Sequence, residues 1–116
     1  MLSIIIVNFK NPPLLRLCLK SLERGIAANF NYEAIVVDSA SSLETKNLVK
    51  EEFPKFKLLP FDKNIGYTRG VNEGIKKSRG EFILILNPDI VLLNNTVEQM
   101  YDFMKKNEKV EPVLIE

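Results

Sequence analysis

Phe82-Ile83-Leu84-Ile85-Leu86 is an unbroken apolar run that stops abruptly at Asn87-Pro88-Asp89. A run this short and this uniformly apolar predicts a strand buried on both faces, as in mainly parallel sheets covered by helices. Such a strand delivers the residues after it to the carboxyl edge of the sheet, where open α/β folds bind ligands. Asn87 and Asp89 lie two apart around a proline, so two oxygen-bearing side chains leave that strand together. The pair suits a hard cation such as Mg²⁺ or Mn²⁺, and also sugar hydroxyls. Asn-Pro-Asp is equally a favoured turn that ends a strand and caps the next helix.

Strand and helix signals alternate along the chain. Leu2 to Val7 is an apolar run ending at Asn8, and Asn11-Pro12-Pro13 offers an N-cap and a first-turn proline. Leu15, Cys18, Leu19, Leu22 and Ile26 follow at helical spacing. Tyr32 to Val37 predicts a second strand ending at Asp38. Ser41 and Glu44 are then spaced as a capping box, for a helix presenting Leu48, Val49 and Phe53. Phe56 to Pro60 predicts a third strand, Asp62 to Gly70 a loop, and Tyr67 to Ser78 a helix with Val71 and Ile75 inward. After Phe82 to Leu86, Asn94 or Asn95 caps a helix with Val97, Met100, Tyr101 and Met104 on one face, and Val110 to Glu116 has room for one more strand. The order is that of an α/β chain: a Rossmann-like three-layer sandwich with a mainly parallel sheet, one domain over residues 1–116.

Composition removes several kinds of chemistry. Histidine is absent, which excludes Ser-His-Asp and Cys-His catalysis and histidine zinc sites. Cys18 is the one cysteine and sits among leucines, so it reads as a core residue. With 16 basic and 15 acidic side chains the net charge is +1, and no general field favours nucleic acid. No apolar run approaches a membrane span, and Met1 to Val7 is too short for a signal peptide. Cytoplasmic residence is the default expectation, with peripheral attachment to a membrane left open.

Parallel strands would gather Asn8, Asp38 to Ser42, Asn64 to Asn72 and Asn87 to Asp89 at one edge. An acidic residue after a second strand commonly takes ribose hydroxyls. The first strand, however, leads into Asn8-Phe9-Lys10-Asn11-Pro12-Pro13 rather than Gly-x-Gly-x-x-Gly, which argues against NAD or FAD, and there is no P-loop. Asn64-Ile65-Gly66-Tyr67-Thr68-Arg69-Gly70-Val71-Asn72 offers another way to hold a nucleotide. Gly66 and Gly70 would let backbone approach a ligand, a helix start favours anions, and Arg69 could reach a diphosphate.

These pieces together resemble the amino-terminal half of family 2 glycosyltransferases, inverting and metal-dependent enzymes of GT-A fold. The matching segments are Ser3 to Phe9, Leu15 to Leu22, Ile35 to Ser42, Asn64 to Gly74, and Gly80 to Asp89, in that order. The resemblance implies a nucleoside diphosphate sugar as donor. It also implies that Asp38 hydrogen-bonds the base or ribose, with Asn8 beside the same nucleoside. Asn64, Gly66 and Arg69 would flank the nucleotide and its phosphates, with Asn72 nearby. Asp89 would bind the Mg²⁺ or Mn²⁺ that bridges the diphosphate, and Asn87 would take the first position of the Asp-x-Asp-type motif.

Two departures stand out. Leu43 occupies a position where the family commonly has aspartate, and it is expected to turn to the core. The acceptor-binding half, with its general base, is expected to lie beyond this chain, so the acceptor is unknown and no base is evident. Ending near Glu116 would leave an uncovered edge, which predicts a homo-oligomer. Besides a transferase, the residues admit a nucleotide-sugar-binding module without activity. A receiver-like signalling domain fits worse, since Asn8-Phe9-Lys10 brings no carboxylate.

Overall fold

A computed structural model describes residues 1–107 and the backbone of residues 114–115. Its strands are β1 (Leu2–Phe9), β2 (Tyr32–Ser39), β3 (Lys57–Pro60), β4 (Phe82–Leu86) and β5 (Leu114–Ile115). Its helices are α1 (Pro12–Gly25), α2 (Leu43–Glu52), α3 (Tyr67–Lys77) and α4 (Thr96–Lys106). The sheet order is β3-β2-β1-β4-β5, and every neighbouring pair is parallel. The remainder of the expected tail strand lies outside the described residues.

Alternation along the central strands divides the core between two faces. Ile4, Ile6, Val36, Leu84 and Leu86 pack with Leu15, Cys18, Leu19 and Leu22 of α1, Val49 of α2 and Val97 of α4. Ile5, Val7, Ile35 and Val37 pack on the other face with Val71 of α3. Helices thus cover both sides of the sheet, giving the expected three layers. Because α3 crosses β1 and β2, it leaves Ile83 and Ile85 of β4 half-buried rather than fully enclosed.

Several local expectations change. β1 and β2 each run two residues further than expected, so Asn8 and Asp38 lie within the sheet. The cap of α2 is Ser42, whose Oγ accepts from Thr45 N–H at 3.2 Å, and not Ser41. Leu43 is consequently the first residue of α2 and is 73% exposed instead of turning to the core. Ile75 is 39% exposed, because Gly70, Val71 and Gly74 form the seated side of α3. Asn95 precedes α4 in a left-handed conformation, φ 66°, without a side-chain cap bond. Among the described residues no helix is long and apolar enough to cross a membrane.

Candidate functional site

The register of β1 and β2 sets Asn8 opposite Asp38 near the carboxyl ends of both strands. Asn8 Nδ2 donates to Asp38 Oδ1 at 3.0 Å, and Ser41 Oγ donates to Asp38 Oδ2 at 2.6 Å. Both partners of the first bond are buried. Since the amide nitrogen faces Asp38, Asn8 Oδ1 is left as a buried acceptor without a partner among the described residues.

Beyond Asp38 the chain turns through Ala40, at φ 51°, and is held against the loop after β3. Ala40 N–H donates to Lys63 O at 3.0 Å and Ser41 N–H to Phe61 O at 2.8 Å. Ser39 Oγ donates to Asn64 Oδ1 at 3.0 Å and accepts from Ile65 N–H at 2.8 Å. Asn64 Oδ1 also accepts from Gly66 N–H at 3.0 Å. This chain of bonds fastens the start of α3 to the end of β2.

The two loop glycines do different things. Gly66 has φ 79°, and no atom lies within 4 Å of where a Cβ would stand. It opens α3 without any side-chain cap, so the first-turn amides face outward. A Cβ on Gly70 would stand 2.7 Å from Val7 Cγ1. Gly70 therefore serves contact between helix and sheet, and the expected backbone approach to a ligand falls to Gly66 alone.

Asn87 and Asp89 form the turn after β4, closed by Ile90 N–H donating to Asn87 O at 3.1 Å. Asp89 is exposed, and it lies close enough to α1 to act on Cys18. Burial, and then the charge of Asp89, push that thiol up to about 12. Arg69 and Asn72 do not join the Asn8–Asp38 cluster. They line a shallow groove of about 860 Å³ with Gly66 and Lys76, along the side of α3 turned from the sheet. Among the described residues, no side-chain hydrogen bond or ion pair engages Arg69, Asn72, Asn87 or Asp89.

Ser39 and Ser41 hold Asn64 and Asp38 in place, a role the sequence does not give them, since Ser41 reads there as a helix cap. Their only signal is the run Asp38-Ser39-Ala40-Ser41-Ser42, in which three hydroxyls follow the carboxylate.

Comparison with known proteins gives this edge a context. The poly(ribitol-phosphate) beta-N-acetylglucosaminyltransferase TarP of Staphylococcus aureus is 28% identical over 108 residues, 90% of this chain and 33% of that protein. Staphylococcus aureus TarS 1-349, solved in complex with UDP-GlcNAc, superposes with a TM-score of 0.81 at 23% identity, over 92% of this chain and 32% of that one. Mannosyltransferase PcManGT from Pyrobaculum calidifontis, solved with GDP-Man and Mn²⁺, gives 0.77 at 21% identity, over 89% and 32%. The chain spans 39% or less of the length of the curated relatives it matches. The α/β architecture is that of GT-A glycosyltransferases. The sequence model of Glycosyl transferase family 2 matches residues 3–113, and the chain belongs to that family.

Proposed function

We propose that this chain builds the donor side of a glycosyltransferase site. It binds a nucleoside diphosphate sugar with a divalent cation, for inverting transfer of the sugar to an acceptor hydroxyl. The observation that carries this reading is the strand order β2-β1-β4, which aligns Asp38, Asn8 and Asp89 along one edge. Strand spacing sets β2 about 10 Å from β4 across β1, and Asp89 follows β4 in the turn at that edge. A nucleoside seated at Asp38 would thus extend its diphosphate toward Asp89. The UDP-GlcNAc and GDP-Man carried by the two structural neighbours support the ligand class.

The residues present suit the cation. Asp89 is an exposed carboxylate without an ion pair among the described residues, and Asn87 adds an amide oxygen, both hard donors. Among the described residues no group of three His, Cys, Asp or Glu could hold a metal alone. That matches a cation shared with phosphate oxygens rather than a structural ion. When bound, it would stabilise the charge gathering on the departing diphosphate.

The chain's own residues bind and orient. Asn8 holds Asp38 in place, and the unpartnered Asn8 Oδ1 accepts a further donor. Because Asp38 is 1% exposed, the nucleoside reaches it when Ser41 turns its hydroxyl away. The Ser39–Asn64 bonds hold Gly66 and the first turn of α3 beside the phosphates, with Arg69 long enough to swing to them and Asn72 one turn behind. We assign no general base: Asp62 is exposed in a bend, and Glu73 accepts from Lys76 at 3.4 Å.

Melting with uridine, thymidine or guanosine diphosphate, with and without Mn²⁺, tests the reading through linkage. At least one nucleotide should raise the transition, more so with Mn²⁺, and Asp89→Ala should remove the metal-dependent part. No shift under any condition overturns the proposal. Transfer of a labelled sugar would then separate an enzyme from a binding module.

A further inference from the structure

Beside the proposed site, α1 turns Leu14, Leu17, Lys20 and Arg24 toward solvent, with Leu14 39% and Leu17 51% exposed. The segment after Asp89 is fastened along this stripe. Leu92 N–H donates to Ser21 Oγ at 3.0 Å, and Asn95 N–H donates to Gly25 O at 3.0 Å. The Leu92 side chain is buried, so its neighbours Val91 and Leu93 stand outward at 59% and 78% exposure. Leu17, Val91 and Leu93 thereby share a groove of about 530 Å³ with Lys20 and Arg24.

The charges here are one-sided. Among the described residues Lys20 and Arg24 have no ion pair, whereas Arg16 on the next flank is matched by Glu52 at 2.9 Å. Among the described residues no carboxylate lines the groove. Glu23 lies outside the groove, about 60° round the helix beyond Lys20 and about 120° from Leu17 by helical geometry, and Asp89 belongs to the turn before the segment. Aliphatic tips on a segment fixed by hydrogen bonds, flanked on the α1 side by Lys20 and Arg24, supply the two components that hold a protein on an anionic bilayer surface.

We infer that this face docks on an anionic lipid leaflet, with Leu17, Val91 and Leu93 entering the headgroup boundary and Lys20 and Arg24 meeting lipid phosphates. Charge decides the occupant. A second copy paired symmetrically through the same patch would bring like cations together. A polyanion such as nucleic acid would leave the aliphatic tips in water. The arrangement sets the membrane next to the turn that carries Asp89.

Co-sedimentation of the chain with phosphatidylcholine vesicles, with and without phosphatidylglycerol, tests this. Binding is expected to the anionic vesicles and to fall roughly thirtyfold in Lys20→Gln/Arg24→Gln, since each charge near the surface contributes about 1 kcal/mol. Leu93→Gln/Val91→Gln should weaken it as well. Lys20 is half-buried and the other three positions are exposed, so unchanged circular dichroism and melting will confirm that the variants fold. Absence of binding to either vesicle, or binding insensitive to both variants, overturns the inference. A dimer that Leu93→Gln dissolves, with no vesicle binding, also overturns it and assigns the face to a second copy.

Discussion

Asn8 and Asp38 are register partners on adjacent parallel strands, joined side chain to side chain at 3.0 Å with almost no exposure. In this pair an amide nitrogen meets a carboxylate oxygen and leaves the amide oxygen unmet. A buried acceptor without a partner carries a penalty, and so would a buried carboxylate stripped of its donor. Fold and proposed binding therefore rest on the same two side chains.

Asn8→Ala should lower stability by about 1–3 kcal/mol, since it strands a buried carboxylate oxygen. Urea unfolding at neutral pH measures this. Asn8→Asp should add a pH dependence of definite sign. Two adjacent carboxylates raise the folded pKa of one above its unfolded value, so the contribution is present in acid and lost as pH rises through the folded pKa.

Ser41 and Ser42, two of the three serines after Asp38, should separate binding from stability. Ser42→Ala removes the α2 cap and should cost about 1 kcal/mol in unfolding free energy. Ser41→Ala removes a donor to Asp38 and should chiefly change nucleotide affinity, read by titration calorimetry. Equal effects of both on affinity would contradict the division.

Gly74→Ala should destabilise the chain by about 1–3 kcal/mol through overpacking, partly offset by alanine's better helix propensity of about 1 kcal/mol. A Cβ there would stand 2.6 Å from Ile5 Cγ2, a branched methyl with little freedom to retreat. Chemical denaturation beside Gly66→Ala, where no atom lies near, distinguishes crowding from backbone strain.

At the opposite edge of the sheet, burial alone would push the Glu33 carboxyl up. Hydrogen bonds from Ser3, Arg79 N–H and Lys57 bring it below its ordinary value of 4.5 instead. A depressed folded pKa contributes stability above the unfolded value, and that stability is lost as pH falls through the folded one. Glu33→Gln should accordingly flatten the acid limb of the stability profile, measured by urea unfolding from neutral pH downward.

The strands, the α1 stripe and the polar carboxyl edge are readable because apolar runs and helical spacing survive in a single sequence. Register is not, so the direct bond between Asn8 and Asp38 cannot be foreseen. Ser41 and Ser42 are adjacent, and which one caps depends on backbone angles that spacing does not encode. Gly70 and Gly74 lie four apart on one side of α3, a pattern that serves close packing as well as it would serve approach to a ligand. Val91-Leu92-Leu93, three apolar residues between a turn and a helix cap, carries the signal for the fastened segment but is too short to show a period.

The contact between α3 and the sheet has a consequence for motion. With bare backbone against Val7 and Ile5, there is no compressible layer to let the helix rock or slide. In the proposed site its opening turn would act as a stationary jaw, and adaptation to a guest would fall to the Ser41 hydroxyl, which can turn from Asp38 while the backbone stays bonded to Phe61 O. Selectivity would then follow from how readily that hydroxyl yields, and little conformational freedom would be surrendered by α3 on capture.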